Sequence, residues 1–160
     1  MAKIVKIKFL VLDVDGVLTD GGMYYSESGD EFKKFNTKDG LGIKRVVAAG
    51  IPVGFISSGK NKIIINNRAA LLGVEYVYAG FDEKLPILNS WREKLSLTWK
   101  DIAYIGDDMN DSGIMKKVGV PACPADAVQE IKKISKVILK KKGGEGCVRE
   151  FIEKFIIPIS

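Results

Sequence analysis

The 160-residue sequence contains no histidine and only two cysteines. Without an imidazole there is no Ser-His-Asp or Cys-His catalysis, no phosphohistidine and little prospect of a zinc site. Cys123 and Cys147 form neither a C-x-x-C pair nor a disulfide framework, and neither has an arginine six residues on, which excludes a cysteine-phosphatase loop. Both read as small apolar residues. No apolar run approaches the length of a membrane span, and the start, Met1-Ala2-Lys3-Ile4, does not read as a signal peptide, so a cytoplasmic protein is expected. Much of the +5 net charge lies in Lys132, Lys133, Lys136, Lys140, Lys141 and Lys142, with no aromatic among them for base stacking. That run reads as a solvated face. Neither nucleic acid nor membrane is an expected partner, whereas a small anionic substrate suits the charge. The chemistry left open uses carboxylates, hydroxyls, lysines and a hard metal ion.

What is present is an apolar content of 46% in a length that suits one domain, residues 1–160. The run from Ile7 to Leu12 reads as a buried strand ending on Asp13 and Asp15, with Gly16 turning the chain away. Residues 21–25 and 31–35 flank a polar, glycine-containing connection and predict a β-hairpin. Helices are expected over 39–49, 61–72, 82–95, 110–117, 125–132 and 145–155, and strands over 51–56, 75–78, 102–106, 120–123 and 137–139. In the third helix Leu85, Leu88, Trp91 and Leu95 share a side. This alternation implies an α/β, doubly wound (Rossmann-like) parallel sheet with helices on both faces. In such a sheet a later strand pairs on the far side of the first. If that neighbour ends at Asp107, Asp107 and Asp13 meet at the switch point.

Four groups then fall at strand ends or helix starts: Asp13 and Asp15; Ser57-Ser58-Gly59-Lys60; Lys84; and Gly106-Asp107-Asp108-Met109-Asn110-Asp111. Taken singly each has a plainer reading, as an Asx turn, a turn serine, a solvated lysine or a helix cap. Together, converging carboxylates without histidine call for a cation, and Mg²⁺ with a substrate phosphate answers that need. A carboxylate can act as nucleophile in phosphoryl transfer. The segment Gly54 to Asn61 nearly matches a P-loop. However, Asn61 replaces the metal-binding hydroxyl and Gly54 falls inside a predicted strand, which argues against a P-loop NTPase.

In this order the motifs Asp13-x-Asp15-Gly16-x-x-x-Asp20, Ser58, Lys84 and Gly106-Asp107-Asp108-x-x-Asp111 resemble those of the haloacid dehalogenase-like hydrolases. The resemblance implies Asp13 as nucleophile, Asp15 as general acid/base, and Ser58 and Lys84 as phosphoryl-holding groups. It also implies Mg²⁺ on Asp13, the carbonyl of Asp15 and Asp107, with Asp108 and Asp111 behind them. Neither interval between motifs has room for a cap domain, so the fold is expected to carry a β-hairpin flap and no cap, with closure of the site coming from a neighbouring subunit. Asp20-Gly21-Gly22, Glu31-x-Lys33-x-Phe35-Asn36-x-x-Asp39-Gly40 and Gly143-Gly144-x-Gly146-x-x-Arg149-Glu150 are similar, more narrowly, to the 3-deoxy-D-manno-octulosonate 8-phosphate phosphatases. This implies a phosphorylated sugar-acid substrate and a homotetramer, with Asn36, Lys38, Lys60, Arg68 and a neighbour's Arg149 as candidate substrate contacts. Lys38 and Lys60 stand where those enzymes commonly carry arginine, which keeps a phosphatase of nine-carbon keto-deoxy sugar acids as the alternative. A non-catalytic relative that only binds or assembles is the reading from a different class, and the full set of motif carboxylates argues against it. The glycine run before Arg149 suits either a mobile segment or a loop preceding an ordinary helix. The apolar tail Phe155 to Ile159 is expected to be a poor surface on a monomer.

Overall fold

The computed structural model describes residues 6–158; Met1-Ala2-Lys3-Ile4 and Ile159 lie outside the described residues. Strand β1 (Phe9–Asp13) is wholly buried, as its unbroken apolar run requires, and ends at Asp13. The chain then forms a two-stranded flap, β2 (Tyr24–Tyr25) and β3 (Glu31–Phe32), paired antiparallel with Tyr24 opposite Phe32. Helix α1 (Thr37–Ala48), β4 (Val53–Ser57), α2 (Lys62–Leu72), β5 (Tyr76–Ala79) and α3 (Lys84–Lys94) follow. Beyond them come β6 (Ile102–Ile105), α4 (Ser112–Met115), β7 (Val120–Cys123), α5 (Gln129–Ile134), β8 (Val137–Ile138) and α6 (Cys147–Phe155). Six strands make one parallel sheet in the order β5-β4-β1-β6-β7-β8. β1 therefore lies between β4 and β6, with Asp13 opposite Ile56 and Leu12 opposite Ile105. The order reverses beside β1, where a doubly wound sheet puts its ligand site.

Alternation along the strands sorts the core into two layers. Leu10 and Leu12 of β1 and Ile105 of β6 pack with Ile43, Ile65 and Phe151, the side of α1, α2 and α6. Phe9 and Val11 of β1 and Tyr104 of β6 pack with Leu88, Ile114 and Ile131, the side of α3, α4 and α5. The same alternation carries Asp13 to the α3 side.

Several boundaries move from their expected places. α1 begins at Thr37 because the Asn36 side chain accepts from the Lys38 and Asp39 N–H groups and caps it. α3 begins at Lys84, not residue 82, so Lys84 is its first residue. The expected helix over 110–117 divides into a 3₁₀ turn at Met109–Asp111 and the short α4, because Asp108 and Asp111 cap each other's backbone. The glycine run before Arg149 packs tightly: a Cβ on Gly143 would fall 1.8 Å from the Gly16 carbonyl oxygen, and Gly144 N–H donates to Val17 O. Close backbone approach is what glycine serves there, and Gly146 leads directly into α6, as the reading of a loop before an ordinary helix expects. Phe155, Ile156 and Ile157 are partly buried against the chain's own core, which corrects the expectation of an exposed apolar tail. Among the described residues no helix is long and apolar enough to cross a membrane.

Candidate active site

Asp13 and Lys84 meet because the last residue of β1 and the first of α3 share one face of the sheet. Lys84 Nζ lies 2.8 Å from Asp13 Oδ1 and 2.8 Å from Asp111 Oδ1, with all three side chains almost fully buried. Tyr104, on the same face of β6, donates its hydroxyl to Asp111 Oδ1 at 2.5 Å. The N–H groups of Asp107 and Asp108 donate to Asp111 Oδ2. Asp111 is thus saturated by four donors and works as an internal strut.

Burial pushes Asp13 well above the ordinary carboxylate range; Asp111 adds to this, Lys84 opposes it and Asp107 adds again. Lys84 is raised too: burial alone would lower it, but Asp13 and Asp111 prevail. Asp107 is pushed up to about 6, first by burial; a hydrogen bond with Asp13 opposes this, while Asp111 and Asp108 reinforce it. Oxygen atoms of Asp13, Asp107 and Asp111 lie within 4.8 Å of one another. One lysine among three carboxylates leaves excess negative charge; with Asp111 committed to its four donors, Asp13 and Asp107 are the hard oxygen donors left to fit a divalent cation such as Mg²⁺. Gly16 supports that fit. Its φ of +87° turns the backbone toward Asp107, where a Cβ would stand 1.9 Å from Asp107 Oδ2.

A cleft of about 560 Å³ opens above these groups, lined by Asp13, Asp15, Ser58, Asp107, Asp108 and Asn110 among others. It adjoins a second hollow lined by Asp15, Met23, Tyr25, Lys60 and Phe81. The two serines after β4 part company. Ser57 is buried and accepts from Gly59 N–H, whereas Ser58 is exposed to the cleft and accepts from Asn110 Nδ2 at 3.1 Å. Lys60 lines the second hollow. Gly54 lies within β4, which leaves no P-loop geometry.

The remaining candidates gather elsewhere. Asn36 caps α1 and donates to Gly144 O, and Arg68 stacks over Phe35 while donating to Asn36 O. Arg149 pairs with Glu153 and donates to Lys38 O. None of Asn36, Lys38, Arg68 or Arg149 lines either hollow of its own protomer. Three contributors to the site escape a reading of the sequence: Tyr104, Lys33 and Glu31. Lys33 Nζ lies 2.6 Å from Asp15 Oδ1 and 3.1 Å from Glu31 Oε1. The Glu31-x-Lys33 pattern was visible, but its target lies 18 residues away in the chain.

Comparison with known proteins agrees with this geometry. Residues 73–152 match the haloacid dehalogenase-like hydrolase family model. The chain is 38% identical over 157 residues to the 3-deoxy-D-manno-octulosonate 8-phosphate phosphatase KdsC of Escherichia coli, covering 98% of this chain and 83% of that protein. The crystal structure of the Yersinia pestis 3-deoxy-D-manno-octulosonate 8-phosphate phosphatase superposes with a TM-score of 0.92 at 34% identity, covering 96% of this chain and 83% of that one. The Moraxella catarrhalis phosphatase, solved with magnesium, phosphate and the KDO molecule, gives 0.92 at 33% identity, covering 96% and 88%. The chain belongs to the haloacid dehalogenase-like hydrolases, in the family of the 3-deoxy-D-manno-octulosonate 8-phosphate phosphatases.

Proposed function

We propose that this chain is a Mg²⁺-dependent phosphatase that hydrolyses 3-deoxy-D-manno-octulosonate 8-phosphate to the free sugar acid and phosphate through an aspartyl-phosphate. The observation that carries this reading is Lys84 joined to both Asp13 and Asp111 beneath an open cleft that Asp15 and Asp107 also line. The substrate assignment draws on the relatives. In this reading Asp13 attacks phosphorus, the ester P–O bond breaks, and Asp15 gives its proton to the departing alkoxide. Asp15 then takes a proton from water, which attacks the phosphoryl group, releases phosphate and restores Asp13. Lys84 and Ser58 hold the phosphoryl oxygens, while Asp111 holds Lys84 and Asp108 shapes the loop that presents Asp107. Mg²⁺ held by Asp13, Asp107 and the carbonyl of Asp15 would neutralise charge on the carboxylates and the phosphoryl group.

The reading includes a cytoplasmic homotetramer. Met23, Tyr25 and Phe32 of the flap are each close to 60% exposed, and a second copy covering them would also close the cleft. Lys38, Arg68 and Arg149, remote from their own cleft, would then serve a neighbour's.

Steady-state turnover of eight- and nine-carbon keto-deoxy sugar phosphates, with Mg²⁺ and with EDTA, tests the proposal. The eight-carbon ester should be preferred and EDTA should abolish turnover. Undiminished turnover in EDTA would overturn the metal assignment, and preference for a simple sugar phosphate would overturn the substrate class. A nine-carbon preference would select the alternative that Lys60 favours by replacing the usual arginine.

A further inference from the structure

Lys33 leaves the flap just after β3 and turns inward, and only 5% of its side chain is exposed. A buried ammonium needs partners, and Lys33 has two, Asp15 and Glu31. Burial acts to lower its pKa, but the hydrogen bonds to Asp15 and Glu31 prevail and the net shift is upward. The flap has two residues per strand and no pairing with the main sheet, so it cannot hold its position by itself. Asp15, for its part, is 36% exposed, and the terminal torsion of an aspartate is broad. The contact at 2.6 Å constrains both. It distinguishes the two oxygens of Asp15 as well. Oδ1 is held by Lys33, while Oδ2 faces the Ser58–Gly59 loop, 3.5 Å from where a Cβ on Gly59 would stand.

We propose that Lys33 is a positioning residue for proton transfer: it pins Oδ1 of Asp15 so that Oδ2 points to where the leaving oxygen departs, and Glu31 fixes the ammonium from behind. This rests on the role of Asp15 in the proposed function. Alignment of an acid matters when the leaving group is a poor one. An alkoxide requires a proton as the P–O bond breaks, whereas p-nitrophenolate departs without one. A lysine that merely docks the flap would cost recognition of the sugar, but it would not separate phenyl phosphate from p-nitrophenyl phosphate, which differ in the basicity of the leaving oxygen and little in shape.

The test compares kcat/KM, which covers the steps through leaving-group departure, for the sugar phosphate, phenyl phosphate and p-nitrophenyl phosphate. Lys33→Met should lower the sugar phosphate by about 10- to 100-fold, phenyl phosphate by about 10-fold and p-nitrophenyl phosphate by less than about threefold. Lys33→Arg, which keeps a cation within reach of Oδ1, should recover most of the loss on the first two. Glu31→Gln should show the same selective loss in smaller measure, and it carries the comparison if Lys33→Met does not fold. Equal losses on phenyl and p-nitrophenyl phosphate, or no loss, would overturn the proposal. Asp15→Asn separates the two levels. A selective loss there without one in the Lys33 and Glu31 variants refutes positioning alone, and a non-selective loss in Asp15→Asn refutes the acid/base role itself.

Discussion

Asp13 and Asp15 stand two residues apart, each with a lysine on its carboxylate, yet the two pairs are built differently. Asp13 and Lys84 sit inside the molecule with side chains 7% and 3% exposed, brought together by strand alternation and the first turn of α3. Asp15 and Lys33 meet at the rim, where Asp15 is 36% exposed and Lys33 arrives on a flap outside the main sheet. The inner pair is a product of the core and, in the proposed mechanism, serves the reacting phosphorus. The outer pair depends on where the flap lies and, in the same proposal, serves the leaving group. Chemistry common to a family can thus be fixed by the sheet while substrate choice varies at the rim.

The strongest test of that division removes the inner carboxylate. Asp13→Asn should cost at least about a thousandfold in kcat on every phosphate ester, good and poor leaving groups alike. Thermal unfolding should be no easier than in the parent, because one of the crowded carboxylates has gone. Comparable turnover by the variant on any ester would break the assignment of Asp13 to bond formation.

Lys84→Met addresses what the inner lysine does for the fold. It leaves Asp13 and Asp111 buried against each other with no cation between them, and breaking a buried pair of this kind costs about 3–5 kcal/mol. Urea unfolding in EDTA should show that loss. The corresponding change at the outer pair should be far smaller, since Asp15 can turn to water.

Asp39 supplies the contrasting case, a buried carboxylate with no lysine on it. It is 1% exposed; Oδ1 accepts from Arg149 N–H at 2.8 Å, and Oδ2 has no hydrogen-bond partner among the described residues. Burial pushes its pKa up to about 6, against the opposing N–H groups of Arg149 and Gly146, the charge of Lys141 and the N–H of Val148. The folded chain therefore binds this proton more tightly than the unfolded chain, whose value is the ordinary 3.8. Stability falls as pH rises between those two values and the penalty is complete above them, on the order of 3 kcal/mol in the limit. Asp39→Asn should flatten that slope in urea titrations at pH 4 to 7, whatever it does to stability at one pH. An unchanged slope would show that Asp39 does not carry it.

How much was legible follows the same inner and outer division. The apolar run into Asp13, the return of β6 beside it and the order of the motif carboxylates all rest on local pattern and sheet topology, and each appears where expected. Lys84 was legible as a motif lysine, though the start of α3 was misplaced by two residues because Glu83 caps it with no side-chain bond. Tyr104 passed as one more apolar strand residue, since nothing in Ile102-Ala103-Tyr104-Ile105 distinguishes its hydroxyl from its ring. Lys33 was hidden because its partner is set by the flap's placement, which no periodicity encodes. Asp39 was legible as a motif residue and as the start of the expected helix, but its carboxylate accepts the Arg149 N–H of α6, a contact made only by the packing of two helices. Asn36, Lys38, Arg68 and Arg149 form contacts within the protomer away from its cleft, so under the proposed tetramer any part they play in recognition falls between subunits.

The smallest expected effect on the protomer is at the flap's outer surface. Phe32 and Met23 are 58% and 61% exposed, so replacing both with serine should alter unfolding free energy by no more than about 0.5 kcal/mol per site if the subunit is studied alone. Assembly should respond differently. If those side chains lie against other copies, the double variant should sediment as a smaller species, and kcat/KM for the sugar phosphate should fall while that for p-nitrophenyl phosphate changes little. The inner pair would be intact in such a variant, and the neighbour that closes the cleft would be lost. Should the variant keep both its assembly state and its sugar-phosphate turnover, the flap would be a rim for Lys33 alone, and recognition of the leaving group would have to come from Lys60 and Phe81 of the adjoining hollow.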